Sequence, residues 1–161
     1  MAAVVAAWPA TVLAAPLEEG ARVAFLGVHF IDMSTEGAYN GIREDETART
    51  VLAGEYIAGR LAEEGLEVVS LEPVASDLDK VLNPARCNGC DVKFATTLGA
   101  RYVVVSEVVK ISNLIQSLNI QVRDAGSGKT VKGRAVDIRG NTDKAWIRGL
   151  AYVLDNYIFV D

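Results

Sequence analysis

A single histidine, His29, and a single pair of cysteines, Cys87 and Cys90, are all the imidazole and thiol ligands in these 161 residues. A zinc site built on the two cysteines needs two further ligands, and a haem attachment needs histidine at position 91, which is Asp91. Basic surplus is also missing: 16 Lys and Arg stand against 21 Asp and Glu, for a formal charge of −5. Nucleic acid and anionic membrane surfaces both demand a basic field, so neither is expected as a partner. No run of like charge marks a tail, no segment repeats, and nothing resembles a nucleophile elbow or a catalytic triad.

Charge is absent from the first seventeen residues, MAAVVAAWPATVLAAPL, and their apolar stretch ends in small side chains. That layout suits a signal peptide over residues 1–15, with Val12 and Ala14 fitting a cleavage after Ala14. Pro9 would break a buried helix here, and the run is shorter than the roughly 20 residues a bilayer-spanning helix needs. The expectation is an exported, periplasmic protein of a Gram-negative bacterium without a membrane anchor, its residues 16–161 forming one mixed α/β domain.

Half of the chain is hydrophobic, and its patterning predicts the order β-α-β-α-β-β-β-α. Arg22 to Ile31 is nearly continuous apolar, as in a strand buried on both faces. Asp32 to Asp45 has no apolar period and reads as a loop. From Glu44 to Glu64, Ala48, Val51, Leu52, Ile57, Ala58 and Leu61 recur at helical spacing up to Gly65. Leu66 to Leu71 reads as a short strand, Pro73 to Val81 as a connector with one helical turn, and Asp91 to Leu98 as a helix capped by Gly99. Arg101 to Lys110, Leu114 to Arg123 and Lys129 to Ile138 read as three strands in a meander. A terminal helix follows Asn141 and Thr142, with Trp146, Leu150, Val153, Leu154 and Tyr157 on its core face. Crossovers in the first half and hairpins in the second give a mixed sheet of about five strands packed by two to three helices, an α/β fold of α+β character.

Gly126-Ser-Gly-Lys-Thr130 imitates the end of a phosphate-binding loop. It has Arg123 where that motif needs glycine, and it joins two strands rather than a strand and a helix, so a hairpin turn is expected. Cys87-Asn-Gly-Cys90 leaves three readings open: a disulfide that pins a loop to the second helix, a redox pair with Arg86 favouring a thiolate, or two ligands of a metal site. His29, alone in an apolar strand, reads as a hydrogen-bonded core or edge residue. Asp32, Glu36, Glu44, Asp45 and Glu46 can offer oxygen ligands to a cation, but their spacing matches no calcium loop, and a solvated acidic loop is the default. Asp137, Arg139, Asn141, Asp143 and Trp146 crowd more polar and aromatic groups into one corner than a strand-to-helix link requires. They are read either as a well-capped corner or as an interaction surface anchored by Arg139 and Trp146.

Phe30-Ile-Asp32 with Ser34, Glu36 and Gly37, the segment Cys87-Asn-Gly-Cys90, Leu98 to Val103, Val109 to Asn113, and Asp137 to Asp143 with Trp146 together resemble a family of small exported bacterial proteins of unknown function. More remotely, a first strand ending in an acidic loop, then Cys90 leading a helix into Leu98-Gly-Ala and a strand ending Val109-Lys-Ile, is similar to the amino-terminal domain of TolB and to CsgG-type envelope lipoproteins. The resemblance implies a mixed sheet flanked by helices and a periplasmic binding or assembly role. The chain departs from those relatives in having no lipoprotein cysteine near its start, so no lipid anchor is expected, and no propeller, so no complete TolB-like role. It also implies a link to quinoprotein alcohol dehydrogenase systems, beside which members of the family are sometimes encoded. The resulting expectation is a non-catalytic periplasmic accessory or binding protein with a protein partner and no cofactor. The alternatives are a thiol-disulfide redox or carrier protein using Cys87 and Cys90, and small-ligand binding in a cleft beside the acidic loop.

Overall fold

The computed structural model describes residues 15–160. The expected signal peptide therefore falls, except for Ala15, outside the described residues. No helix among the described residues is long and apolar enough to cross a membrane.

Strand β1 (Arg22–Asp32) is central, as its apolar run demands: Val23 and Phe25 are buried on one face, Ala24 and Leu26 on the other. Gly27 adopts φ 87°, and the register against strand β3 (Tyr102–Lys110) shifts between Phe25 and Val28. This bulge resets the alternation, so Val28 and Phe30 pack on the same cluster as Val23 and Phe25. β1 is parallel both to β3 and to the two-residue strand β2 (Glu67–Val68). Strands β4 (Ile115–Asp124) and β5 (Thr130–Arg139) complete an antiparallel meander from β3, giving the order β2-β1-β3-β4-β5. The mixed five-stranded sheet is the architecture the patterning predicts.

The helix-rich face carries α2 (Glu44–Glu63), α5 (Asp143–Val153) and the π turn Leu154–Ile158, over a cluster that includes Ile57, Leu61, Val104, Leu118, Trp146 and Leu150. The other face carries α3 (Ala75–Leu78) and α4 (Cys90–Thr97), over Ala24, Leu26, Phe94, Val103 and Val105. The crossover from β1 to β2 thus runs over one face and that from β2 to β3 over the other. The chain leaves the carboxyl end of β1 toward β2 and that of β3 toward β4, in opposite directions along the sheet, which makes these two ends a topological switch point, where α/β sheets place functional groups.

Four details correct the sequence reading. The predicted loop 32–45 contains helix α1 (Thr35–Asn40), capped by Ser34 Oγ, which accepts from the Gly37 N–H. The strand expected over Leu66 to Leu71 shortens to β2, because only Arg22 and Val23 offer it a parallel partner. On α2 the buried stripe is Glu46, Arg49, Ala53, Ile57 and Leu61, whereas Ala48, Val51 and Leu52 face outward. Apolar spacing misplaced its first turns because polar partners, rather than apolar ones, meet them. Leu114 lies in an exposed turn, and the buried alternation of β4 starts at Gln116.

Candidate functional site

Asp32 and Lys110 end β1 and β3 and stand opposite each other in the parallel ladder. Lys110 has no solvent exposure, and its ammonium is held 2.7 Å from Glu46 Oε1, 3.1 Å from Glu36 Oε2 and 3.2 Å from Asp32 Oδ2. Desolvation opposes a buried ammonium, but these three carboxylates outweigh it and raise the Lys110 pKa. Burial likewise works against the Asp32 anion. Donation from the Ser34 hydroxyl and backbone N–H to its Oδ1, together with the Lys110 charge, overcomes this and holds Asp32 below the ordinary carboxylate value. Its Oδ2 has the ion pair with Lys110 and no hydrogen bond of good geometry. Gly37 must be glycine here, since a Cβ at that position would fall on the Asp32 carboxylate.

Glu46 carries the network onward. Its Oε2 accepts the backbone N–H of Arg43, the residue that caps the start of α2, and its Oε1 accepts from Asn141 Nδ2 at 2.7 Å. Asn141 Oδ1 in turn accepts from Arg49 Nη1 at 2.8 Å and from the Trp146 indole N–H at 3.1 Å. Arg49 donates to Asp143 Oδ1 and Asp45 Oδ2, and its guanidinium lies 5.6 Å from the Trp146 ring, which packs on Phe30. Loop, α1, α2, β3 and the start of α5 are thereby tied by one chain of charged contacts.

This arrangement revises two expectations. The acidic segment is not uniformly solvated: Glu46 is fully buried and Asp32 nearly so, because Lys110 waits between them. Of the five corner residues, Asn141, Asp143 and Trp146 converge on Arg49. Trp146 is fully buried, so it supports this corner from inside and is not a surface contact. Asp137 and Arg139 are exposed on β5 and take no part in the network. Lys110 and Arg49 have no place in the sequence reading, which sets Glu46 only among the solvated acids of the loop. Their signals were the helical spacing of Glu46 and Arg49 with Ala53 and Ile57, and a lysine ending the most apolar strand.

The opposite face holds the cysteine ring. Cys87 and Cys90 are joined, with Asn88 and Gly89 both at positive φ between them, and Cys90 begins α4. Arg86, the group expected to favour a thiolate, instead donates from Nε to Glu107 Oε1 at 2.6 Å, where Asn83 Nδ2 also donates. Burial disfavours the Glu107 anion, but Arg86, Asn83 and Asn119 outweigh it and hold this carboxyl below its ordinary value. His29, across the ladder from Glu107, is half-buried, and desolvation pushes its imidazole down. Gly126 to Thr130 is the β4–β5 turn, as expected, with Gly128 at φ 70°.

Large apolar side chains stand exposed in the segments around the charged network, interspersed with polar ones such as Arg43, Asp45 and Asn113. Met33 follows β1, Ile111 and Leu114 form the β3–β4 turn, and Tyr39 and Ile42 lie on and after α1; all are large and exposed. Met33 and Leu114 are drawn to this end by backbone bonds, the Met33 N–H to Lys110 O and the Gly140 N–H to Leu114 O.

The C-terminal domain of LpoB from Salmonella enterica shares this fold with a TM-score of 0.54 and 18% identity, over 75% of this chain and 84% of that domain. Lipoprotein GNA1162 from Neisseria meningitidis gives 0.53 and 17% over 84% and 96%. TolB from Acinetobacter baumannii gives only 0.41 and 12%, over 88% of this chain and 29% of TolB, too slight a likeness to carry an argument. Such identities speak for fold alone. No curated protein sequence matches the chain. Residues 21–158, which include the charged network and the cysteine ring, match DUF3280, "Protein of unknown function (DUF2380)", and the chain belongs to that family.

Proposed function

We propose that this chain is a non-catalytic accessory or binding protein of the bacterial periplasm that works through protein contacts. One observation carries the reading: at the switch point the charged groups are spent on one another, while large apolar side chains stand exposed around them. A base or nucleophile needs a free pair of electrons facing substrate, and carboxylates locked on Lys110 and Arg49 have little to offer. Exposed apolar side chains gathered at one end suit a protein interface. The fold shared with a lipoprotein and with the LpoB C-terminal domain is in keeping with an envelope location, as is a disulfide, which persists in oxidising compartments. The thiol-disulfide alternative keeps the cysteine spacing but loses the support of Arg86, which is committed to Glu107. Neither LpoB nor lipoprotein GNA1162 lends support to the quinoprotein link.

Two measurements on protein from the native host test this. Intact mass with thiol alkylation before and after reduction should show a chain trimmed near Ala14 or Ala15, with both thiols protected until reduced. A photo-cross-linker at Leu114 should capture a defined periplasmic protein that the same group at Lys80 does not. A full-length mass with free thiols would remove the periplasmic assignment, and equal capture from both positions would remove the binding role.

A further inference from the structure

The two edges of the sheet are unequal. β2 exposes two residues of edge, whereas β5 ends the sheet with ten, and no described strand lies beyond it. Edge strands direct alternate N–H and C=O groups outward, and natural sheets shorten, bulge or cover them against unwanted pairing. β5 has no proline, and its single register irregularity sits at its start, between Val122 and Arg123 of β4.

Both flanks of this edge are hollow. On one face Gly133 and Ala135, beside Asn119 and Gln121 of β4, floor a shallow depression of about 470 Å³. Gly133 keeps it open, and a Cβ there would also press to 3.3 Å from Ile120 O. On the other face a groove of about 370 Å³ runs between β5 and α5, with Val136, Ile138 and Gly149 as its floor and Tyr152, Arg139 and Arg148 at its border. A strand laid along β5 would send alternate side chains into these two hollows, the pattern by which sheet edges take up extended peptides.

Charge selects the occupant. In a chain of net charge −5, residues 129–139 carry four basic side chains and one acid. Lys132 is turned inward to Val160 O and Arg134 lies over Tyr157, but Arg139 and Arg148 form no ion pair with a described residue. A second copy would bring the same basic strand against itself, and like charges opposed across strands are unfavourable. We infer that the β5 edge is a docking site for an extended acidic segment of a partner protein, paired through its backbone and with alternate side chains in the two hollows. This inference rests on the protein-contact reading above and extends it. The edge also adjoins the apolar end, since Arg139 lies opposite Ile115 in the ladder.

The probe is a phage-displayed library of random ten-residue peptides selected on the full mature chain. Enriched peptides should be acidic and free of internal proline. A synthetic representative should shift the amide resonances of residues 130–139. A central proline in the peptide, or the R139E/R148E double variant of the protein, should each weaken it at least tenfold. Absence of enrichment, shifts confined elsewhere, or undiminished affinity in the double variant would overturn the inference. So would sedimentation showing a wild-type dimer abolished by R139E/R148E, which would assign the edge to a second copy. Capture of a partner from Leu114 with β5 silent would refute this inference alone, whereas failure at both positions would refute the function proposed above as well.

Discussion

Replacing Lys110 by methionine keeps most of the side chain's length and removes its charge. The ammonium has no solvent exposure and lies within 3.2 Å of three carboxylates, one of them on a fully buried Glu46. Removing one partner of a buried ion pair costs roughly 3–5 kcal/mol, because the remaining charge is left desolvated without compensation. The methionine retains packing, so the whole loss is assigned to electrostatics. With a urea dependence of about 2 kcal/mol per molar for a domain of this size, the unfolding midpoint should fall by roughly 2 M. Urea titration near neutral pH, followed by far-UV circular dichroism, measures this directly. Adding Glu46→Gln to K110M should cost much less than it does in the wild-type background, since the buried anion is gone. The penalty of K110M should also shrink toward acid, where Asp32, relieved of its depressing partner, takes up a proton. A K110M loss below about 1 kcal/mol, or strict additivity with Glu46→Gln, would refute the assignment of Lys110 as the electrostatic centre of the fold.

Cys90→Ser opens a ring of four residues, whose closure entropy corresponds to about 2 kcal/mol of stability, read as a lower melting temperature; an unchanged melting curve would deny the disulfide a structural role. Gly149→Ala should cost about 1–3 kcal/mol by overpacking, because its Cβ would stand 2.5 Å from Ile138 Cγ2 and 2.6 Å from Leu118 Cδ1, and calorimetry reads that loss. Burial favours neutral His29 in the folded chain, so the unfolded chain protonates first and stability declines as pH falls below about 6.5. His29→Gln should flatten the urea midpoint between about pH 7 and 5, and an unaltered slope would count against that burial. Asp32 and Glu107, both depressed on folding, contribute stability that is present above the ordinary carboxylate range and lost as pH falls through their lower folded values; Glu107→Gln should remove part of that acid sensitivity.

Periodicity and turn chemistry were legible along the chain because they are local. A continuous apolar run made β1 central, alternation exposed one side of β4, and Gly128 and Thr142 marked a hairpin and a helix start that the structure places within a residue or two. The cysteine spacing announced a short ring. Polar burial was not legible, because it depends on which partners arrive from elsewhere. Glu46 and Arg49 look like a solvated helix face until Asn141 and Asp143, more than ninety residues later, close over them. Trp146 carries the composition of an interface anchor, yet the same Asn141 draws its indole inward.

Short-range pattern and composition suffice for the mixed sheet, the order of its main elements and the acidic, cysteine-poor character of the chain. That Lys110 gathers carboxylates from three segments, that exposed apolar side chains stand at the same end, and that β5 is a long edge with no described strand beyond it and a hollow on each side emerge only from the folded chain. Ion pairs, shared surfaces and sheet edges belong to pairs of distant segments, and their energies exist only once the fold has brought those segments together.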